Sequence, residues 1–496
     1  MHLKGFYMMV KEFLSQFPYV LPGLEILYLI GVFFLAGRII MDTKTTSKTL
    51  AYLMLIIFLP VAGIIIYFVF GVNYRKKKFY TFKIEQNKEI YAALKKYIQK
   101  THYTTLEERA DEVENFKTTV NYLYNAGNSP LSQRNEVELL INGEGKFAKV
   151  FEILQQAKHH IHLEYYIYEN DEIGNRLADL LVEKAKNGVI IRFLYDDMGS
   201  GKIGKKLLKK LTTAGVEVLP VNKIAFRIFA NRVNYRDHRK LIIVDGAEVF
   251  TGGINVSDKY INPNPKQYWR DMHLYIKGEA AFYFQFLFLS NWTFAAEKLP
   301  ELSEKYFDFK NKDLGKTIVQ TSASGPDTQP LIMLSTNAAI LSAKERVYLV
   351  TPYFIPVETV LNAIIQVALS GLDVRLMVPK SGDSVVVNAA AYSYYEELLE
   401  NKVRIFFYKK GFIHAKTMII DHNFSCVGTA NMDTRSQELN FEVNALIFDT
   451  EINQQLNNIF IEDMEDCEEI FLEDWKKRPR YKVFFEHLAR LLSPLI

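Results

Sequence analysis

Cysteine is scarce in this sequence, since its 496 residues include only Cys426 and Cys467. Two cysteines exclude a disulfide framework and a cysteine-rich metal site, and they indicate a reducing compartment. An excess of one charge is also lacking, because 60 Lys and Arg stand against 57 Asp and Glu, a net charge of +3. The total charge therefore identifies no partner, and any preference for lipid or nucleic acid must come from local clusters.

Apolar residues are abundant: 49% of the chain is hydrophobic and 24% is charged. This composition excludes a disordered chain and supplies a sizeable core. The length predicts two or three domains.

Two long apolar runs occur near the N-terminus. Residues 49–71 carry no formal charge and would form a helix of roughly 34 Å, enough for a bilayer core of about 30 Å. We therefore predict a membrane span at 49–71; a buried core helix is the alternative. Residues 19–37 contain Glu25, and we predict a first span there, with a re-entrant or interfacial segment as the alternative.

Lys and Arg predict the orientation of this pair of spans. Lys4 and Lys11 precede it, and a basic run at 75–78 follows it, whereas the intervening loop carries fewer basic residues. The more basic side faces the cytoplasm, so we expect the N-terminal tail and the long C-terminal part there. The basic run can also contact anionic lipid headgroups. For residues 73–130 we predict a helical linker that ends in the turn-forming residues 125–130.

The remainder of the chain repeats one pattern. An apolar strand at 161–168, a helical run and a second strand at 189–194 have counterparts at 347–354 and 372–378. Each is typical of a parallel strand–helix–strand unit. Two unrelated α/β units would explain this pattern equally well.

A motif downstream of each unit decides between these interpretations. His238, Lys240 and Asp245 have the same spacing as His414, Lys416 and Asp421. Fifteen residues after each Lys stands an Asn, Asn255 in one copy and Asn431 in the other. Two surface histidines without a function are the alternative, but identical offsets in both copies favour a duplicated site.

These residue types suit a phosphodiester. In a strand His238 and Lys240 share one face, as do His414 and Lys416. If the halves pack about a pseudo-twofold axis, two imidazoles, two ammonium groups and two amides meet in one pocket. One imidazole can attack phosphorus and the other can protonate the leaving oxygen, while the cations and amides bind the phosphate. This chemistry requires no metal or other cofactor.

A nucleophilic histidine is usually oriented by a carboxylate on its second ring nitrogen. Asp271 and Glu442, which follow the two motifs, are candidates for this role. The alternative is that both are ordinary surface carboxylates.

The duplicated motif closely resembles that of the phospholipase D superfamily, from about residue 131 to the C-terminus. The residues around the motif are similar to those of the bacterial cardiolipin synthase family. The paired N-terminal apolar runs are similar to those of that family too. Gly252-Gly253 differs mildly from the Gly-Ser that is common in the superfamily. The segments that carry the resemblance are Asn234-Tyr-Arg-Asp-His-Arg-Lys240, Ser324-Gly-Pro-Asp327, Thr351-Pro-Tyr-Phe-Ile-Pro356, Gly411-Phe-Ile-His-Ala-Lys416 and Gly428-Thr-Ala-Asn-Met-Asp-Thr-Arg-Ser436.

The resemblance implies an α/β fold with two phospholipase D-like α-β-α halves related by pseudo-twofold symmetry, preceded by a two-helix transmembrane hairpin. The expected domains are a membrane anchor at 1–72, a linker at 73–130, and the two halves at 131–320 and 321–496.

The resemblance also implies a function: transfer of a phosphatidyl group between two phosphatidylglycerol molecules, giving cardiolipin and glycerol through a phosphatidyl-histidine. It assigns the nucleophile to His238 and proton transfer to His414. The expected location is the bacterial plasma membrane, multi-pass, with the catalytic part cytoplasmic. Expected partners are phosphatidylglycerol, cardiolipin and anionic headgroups, without nucleic acid; an oligomer is compatible with this. The alternatives are a phospholipase D-type hydrolase, a tethered nuclease and a non-catalytic lipid-binding scaffold.

The C-terminal segment, residues 475–492, combines basic residues with an amphipathic helical pattern. Binding at the membrane interface and docking on the domain are both predicted alternatives.

Overall fold

The computed structural model describes residues 20–43, 46–68, 88–221, 236–264, 267–296, 304–307, 315–325 and 328–491. These residues fall into two compact units, one that ends at residue 68 and one that begins at residue 88.

The N-terminal unit consists of helices α1 (Val20–Asp42), α2 (Thr46–Phe58) and α3 (Pro60–Ile66). Within the described ranges, none of the helices is both long and apolar enough to traverse a bilayer. The predicted transmembrane hairpin, with spans at 19–37 and 49–71, is therefore not supported there. Residue 19, residues 69–71 and the basic run at 75–78 lie outside the described residues.

The second predicted span is interrupted. Leu59 has φ −132° and ψ 68°, outside the helical region, and α3 begins at the next residue, Pro60. Proline lacks an N–H group, and its ring collides with the carbonyl group four residues earlier in a regular helix. The helix predicted over 49–71 is therefore interrupted at Leu59 and Pro60.

The linker region is helical: α4 (Lys88–Glu108), α5 (Ala110–Val113), a short 3₁₀ turn (Glu114–Phe116) and α6 (Lys117–Gly127). It is not detached from the domain, because the Phe116 ring stacks on Phe424 with 4.5 Å between centroids. Asn128 ends α6 in the left-handed conformation (φ 52°), which asparagine tolerates better than most residues.

The first half of the larger unit alternates strands and helices. Its elements are β1 (Leu131–Ile141), α7 (Asn142–Gln156), β2 (His160–Tyr165), α8 (Glu172–Lys186), β3 (Ile190–Asp196), α9 (Lys205–Thr213), β4 (Glu217–Val221), β5 (Lys240–Val244), β6 (Glu248–Gly252), 3₁₀ turns at Asp258–Ile261 and Glu304–Phe307, β7 (Trp269–Arg270), β8 (Met272–Gly278) and α10 (Ala281–Ala296).

The second half repeats this succession and adds a C-terminal extension. Its elements are β9 (Thr317–Ser324), α11 (Leu331–Leu341), β10 (Arg346–Val350), β11 (Phe354–Ile355), α12 (Glu358–Leu369), β12 (Asp373–Pro379), α13 (Val385–Glu400), β13 (Arg404–Tyr408), β14 (Phe412–Ile413), β15 (Thr417–Ile420), β16 (Phe424–Gly428), β17 (Met432–Asp433), α14 (Thr434–Glu438), β18 (Glu442–Phe448), α15 (Thr450–Glu465), β19 (Cys467–Ile470), α16 (Leu472–Lys476) and α17 (Arg480–Arg490).

One 15-stranded sheet joins both halves, in the order β19-β13-β12-β10-β15-β16-β18-β9-β1-β8-β6-β5-β2-β3-β4. Strands β2, β3 and β4 are parallel, as are their counterparts β10, β12 and β13. The halves meet where β1 pairs with β9 in antiparallel orientation, and the strand order reads the same outward from this junction. The α/β class is confirmed, and this order is the one that a twofold relation requires.

The junction also bears on the predicted domain boundary. The boundary between residues 320 and 321 falls inside β9, which begins at Thr317 and pairs with β1 along its first residues. The second half therefore begins a few residues earlier, because a strand cannot be divided between two domains that share its hydrogen bonds.

The C-terminal helix α17 docks on the domain through one face. Glu486 and Ala489 are buried, the helix packs against α13, and the Arg490 guanidinium lies 4.0 Å from the centre of the Tyr394 ring. The opposite face leaves large apolar side chains exposed, among them Phe484 at 65% and Phe485 at 59%. Docking on the domain is thus observed for one face only.

Candidate active site

Two short parallel strand pairings place each motif histidine beside the other half of the chain. β14 pairs with β7, so that Ile413 lies opposite Arg270, and an equivalent bridge joins Asp237 to Phe441. The backbone N–H of His414 donates to the Arg270 carbonyl at 2.7 Å, and that of His238 donates to the Phe441 carbonyl at 2.9 Å. The residue after each partner is an acid, Asp271 in one case and Glu442 in the other.

Each histidine therefore pairs with the carboxylate of the opposite half. His238 Nδ1 lies 2.8 Å from one Glu442 oxygen and 2.9 Å from the other. His414 Nδ1 lies 2.7 Å from Asp271 Oδ2. A carboxylate on Nδ1 fixes the ring and leaves Nε2 as the nitrogen available for chemistry. Both carboxylates are buried, so they are not ordinary surface groups.

The two pairs differ in their electrostatics. Burial opposes ionisation of Glu442, but the charges of His238 and Lys240 and a hydrogen bond from Thr429 outweigh it and hold the Glu442 pKa below its ordinary value. Burial raises the pKa of Asp271 to about 6, against the opposing charges of Lys416 and Lys240. Burial lowers the pKa of both histidines, and that of His414 falls well below its ordinary range.

The motif lysines lie deep beside these pairs. Lys240 Nζ donates to the His238 carbonyl at 2.7 Å, and Lys416 Nζ donates to the His414 carbonyl. An ammonium has three donors, so each lysine retains two for another acceptor. Burial lowers the pKa of Lys240 to about 8 and that of Lys416 to about 7.

Each lysine also acts on the other half of the chain. Lys416 lowers the pKa of His238, and Lys240 lowers that of His414, in both cases after the larger effect of burial. The charges of the two motifs thus share one electrostatic environment.

The two asparagines predicted to bind phosphate line one cavity with the histidines. This cavity measures about 490 Å³ and includes His238, Asn255, His414 and Asn431 in its walls. Lys240 and Lys416 are adjacent but do not form its surface. The structure therefore brings both histidines and both asparagines to one cavity wall and places both lysines behind it.

The asparagines are held differently. Asn255 accepts a hydrogen bond from the Ile167 N–H at 3.2 Å and donates to the Tyr260 hydroxyl at 2.5 Å. Asn431 Nδ2 donates to Asp433 at 3.0 Å, and among the described residues its buried Oδ1 has no hydrogen-bond partner.

The two motif aspartates lie elsewhere. Asp245 follows β5 and accepts backbone N–H groups of Lys158, His159 and His160 at 2.8–2.9 Å. Asp421 follows β15 and accepts the corresponding N–H groups of residues 344–346 at 2.8–3.2 Å. Neither lines the cavity, because the strand carries each of them five residues away from the motif lysine. Their place in the catalytic set stays a prediction, and their contacts are those of turn residues.

An aromatic ring lies beside each histidine, and two cations that sequence reasoning missed line the cavity. Tyr166 lies with its ring 4.8 Å from that of His238, and Trp269 lies 5.3 Å from that of His414. Lys259 and Arg435 line the cavity, each four residues after a motif asparagine. This shared offset was a signal that the sequence contained. Within the described residues, no group of three or more His, Cys, Asp and Glu side chains is arranged to hold a metal ion.

Comparisons with known proteins agree with this geometry. The family described as "Cardiolipin synthase, PLD-like domain" matches residues 150–281 and 337–464. The family described as "Phospholipase_D-nuclease N-terminal" matches residues 26–71. Among solved structures, the phosphatidylserine synthase of Haemophilus influenzae Rd KW20 aligns with a TM-score of 0.56 at 14% identity, covering 76% of this chain and 98% of that one, and this shows a likeness of fold alone.

Curated relatives match nearly the whole chain. A cardiolipin synthase of Geobacillus sp. (strain WCH70) is 38% identical over 483 residues, which are 96% of this chain and 94% of the relative. A cardiolipin synthase of Alkalihalophilus pseudofirmus is 36% identical over 477 residues, which are 95% of this chain and 94% of the relative. The chain therefore belongs to the cardiolipin synthase family of the phospholipase D superfamily.

Proposed function

We propose that this protein transfers a phosphatidyl group from one phosphatidylglycerol to another, giving cardiolipin and glycerol. The observation that carries the proposal is the single cavity that both motif histidines line, each with its own buried carboxylate. One imidazole can attack a phosphorus atom held there while the other protonates the oxygen that leaves.

In the first step, His238 Nε2 attacks the phosphorus atom of the donor. The bond from phosphorus to the glycerol oxygen breaks, and His414 delivers a proton to that oxygen, so that glycerol departs. Burial lowers the His414 pKa in the empty cavity, and the negative charge of the bound phosphodiester favours the protonated form that this step needs. Lys240, Lys416 and the two motif asparagines hold the non-bridging oxygens and stabilise the negative charge that develops on them. Asp245 and Asp421 have no contact with the substrate in this proposal and support the strand ends.

The assignment of the nucleophile to His238 is supported by its carboxylate. A phosphorylated imidazole that keeps its Nδ1 proton carries a positive charge, which a fully ionised neighbour stabilises. Glu442 has the lowered pKa, whereas the pKa of Asp271 is raised to about 6. The ionised partner therefore stands beside the histidine to which we assign the covalent intermediate.

In the second step, a free glycerol hydroxyl of another phosphatidylglycerol attacks the phosphatidyl-histidine. The new phosphorus–oxygen bond forms as the bond to His238 Nε2 breaks, and His414 accepts the hydroxyl proton. Transfer must compete with water, so positioning of the acceptor matters; well-oriented groups reach effective molarities of about 10⁵ M or more.

We also propose that the protein works at the bacterial plasma membrane, with the catalytic unit on the cytoplasmic side and the segments 19–37 and 49–71 as a hairpin anchor. The uncharged run at 49–71 and the family match over 26–71 support this arrangement. We expect the exposed apolar face of α17, flanked by Arg480 and Lys482, to contact anionic headgroups.

The test uses the purified full-length protein with labelled phosphatidylglycerol in mixed micelles. We expect cardiolipin and glycerol in equal amounts, and a loss of about 10³-fold in His238→Ala and in His414→Ala. His422→Ala is the matched control, because His422 is 59% exposed and contacts Glu345 and Arg346 on the surface, away from the cavity.

Other products would identify the alternatives. Phosphatidic acid alone would indicate a hydrolase, and cleavage of nucleic acid without lipid turnover would indicate a nuclease. Absence of any product from the wild-type protein would leave the lipid-binding scaffold. An adduct found by mass spectrometry on His414 and never on His238 would reverse the two assigned roles.

A further inference from the structure

Besides Arg236, which pairs with Asp196, two cationic side chains that the proposed chemistry leaves unused line the cavity. Lys259 follows Asn255 by four residues and Arg435 follows Asn431 by four, so the two occupy equivalent positions in the halves. Both line the cavity wall. In the described part of the chain, neither side chain forms an ion pair or a hydrogen bond with the protein. Two cations with unused donors therefore face the cavity in addition to the buried lysines.

Lys259 lies on the side of His414. Its ammonium stands 4.3 Å from the centre of the Trp269 ring, and that ring lies 5.3 Å from the His414 ring. An aromatic face holds a cation in place but satisfies none of its N–H donors in the way an acceptor oxygen would. Lys259 is exposed as a residue and lines the cavity. Partial burial lowers the pKa of its ammonium, and a phosphate bound beside it would raise that pKa again.

Arg435 lies on the other side. Its backbone carbonyl accepts the Asn440 N–H at 2.9 Å, and the carbonyl of the next residue, Phe441, accepts the His238 N–H at 2.9 Å. Lys259 is thus on the side of His414 and Arg435 on the side of His238. If the two histidines have different roles in the reaction, the two cations face different parts of the substrates.

In the proposed function, different groups lie on the His238 side and on the His414 side of the phosphorus atom. In an in-line displacement the nucleophile and the leaving oxygen lie on opposite sides of phosphorus. With His238 as the nucleophile, glycerol leaves on the side of His414, and the acceptor hydroxyl later enters there. The acceptor carries its own phosphodiester three carbons from that hydroxyl, which bond lengths of about 1.5 Å place within roughly 6 Å.

We propose that Lys259 binds the phosphate of the acceptor lipid and thereby selects an acceptor hydroxyl that has a phosphodiester beside it. This inference rests on the proposed function and adds a second phosphate site to it. Bound there, the acceptor presents its hydroxyl oxygen to phosphorus while His414 takes the proton. Lys259 is then a specificity-determining residue, since water and simple alcohols lack the group that it binds.

The experiment compares two soluble acceptors that differ in this group. Labelled phosphatidylglycerol in micelles serves as the donor for the full-length protein, and glycerophosphoglycerol or propane-1,2-diol, whose transfer products both differ from the donor, is supplied at equal concentration. The wild-type protein should prefer glycerophosphoglycerol, and Lys259→Gln should lower the ratio of the two transfer products by about tenfold. Because neither acceptor has acyl chains, the ratio reports the phosphodiester and not lipid packing. Lys259→Arg should restore most of the ratio.

Lys202→Gln is the matched control. Lys202 is a lysine close enough for its charge to act on Lys259, but it is 80% exposed, pairs with Glu169 at 2.9 Å and does not line the cavity. Its removal should leave the ratio unchanged, which separates a specific contact from a loss of general positive charge.

An unchanged ratio in Lys259→Gln would overturn the inference, and so would a lowered ratio in Arg435→Gln alone. Failure of the proposed function is recognised separately, because the wild-type protein would then form no cardiolipin from phosphatidylglycerol. Cardiolipin formation with an unchanged ratio would remove only the Lys259 site.

Discussion

Thr429 and Gly253 occupy equivalent positions in the two halves, and they make the two histidine–carboxylate pairs unequal. Thr429 Oγ1 donates to Glu442 at 2.6 Å, and Asn440 adds a second donor at 3.3 Å. At Gly253 a Cβ atom would lie 2.0 Å from Asp271 Oδ1, so no side chain fits there to donate. Gly253 is also the residue that departs mildly from the Gly-Ser of the superfamily. Because it has no side chain, Asp271 has fewer hydrogen-bond donors than Glu442.

Replacing Thr429 tests this inequality. In Thr429→Val, Glu442 loses a hydrogen bond to a charged group, which contributes about 1.5–3 kcal/mol. We expect the Glu442 pKa to rise, kcat to fall about 10- to 100-fold and the acidic limb of the pH–rate profile to move to higher pH. Thr429→Ser keeps the donor and should behave like the wild type. An acidic limb that stays in place in Thr429→Val would contradict the assigned role of Glu442.

The buried lysines predict a loss of substrate affinity at alkaline pH. The pKa of Lys416 is lowered to about 7 and that of Lys240 to about 8, and each binds an anion only while protonated. As pH rises through these values the positive charge is lost, so kcat/KM should decline between pH 7 and 9. A bound phosphate raises the lysine pKa values, so kcat should decline at higher pH than kcat/KM. Steady-state kinetics across pH 6–9 measures both, and a kcat/KM that stays level would contradict the prediction.

At the scale of elements, one strand in each half separates the motif histidine and lysine from the motif aspartate. β5 and β15 begin beside the site and are followed by Asp245 and Asp421. The carboxylates of these aspartates accept backbone N–H groups of the segment that enters β2 or β10. Both aspartates adopt positive φ, 50° and 49°, which marks them as turn residues. Each motif thus supplies a histidine and a lysine to the site and an aspartate to a turn. The spacing between the lysine and the aspartate is set by the length of the strand between them.

Helix α17 exposes large apolar side chains on the face that does not pack on the domain. We expect it to enter the interface of an anionic bilayer, because Tyr481, Phe484, Phe485 and Leu488 are exposed on one side. An environment-sensitive fluorophore at His487→Cys should shift to the blue in phosphatidylglycerol nanodiscs relative to detergent. The double substitution Phe484→Ser and Phe485→Ser should abolish the shift.

The control for this measurement places the same fluorophore at Lys186→Cys, an exposed position at the end of α8. It should show no shift. Equal emission from α17 in detergent and in nanodiscs would contradict contact with the bilayer.

At the scale of the whole molecule, a single sheet makes the catalytic unit one structure. The β1–β9 junction continues hydrogen bonding from one half to the other, and the short pairings of β7 with β14 and of Asp237 with Phe441 cross between halves again. Separation of the halves would therefore break both histidine–carboxylate pairs at once.

The proposed membrane arrangement predicts a defined pattern of cysteine labelling. With a membrane-impermeant maleimide applied to intact bacteria, Thr45→Cys should react and Lys477→Cys should react only after lysis. Native Cys426 should interfere little, because burial raises its thiol pKa to about 12, and Cys467→Ser removes the other background. Protection of both introduced cysteines, or labelling of both in intact cells, would contradict the hairpin.

The sequence by itself determined the α/β class, the repeat and the identity of the two motifs, because strand periodicity and residue offsets are local properties of the chain. Only the tertiary structure decided which carboxylate serves which histidine, since Glu442 and His238 are 204 positions apart and Asp271 and His414 are 143 apart. It also placed Asp245 and Asp421 in turns at the far ends of their strands. Such contacts depend on how strands pair across the sheet, and no spacing along the chain encodes them.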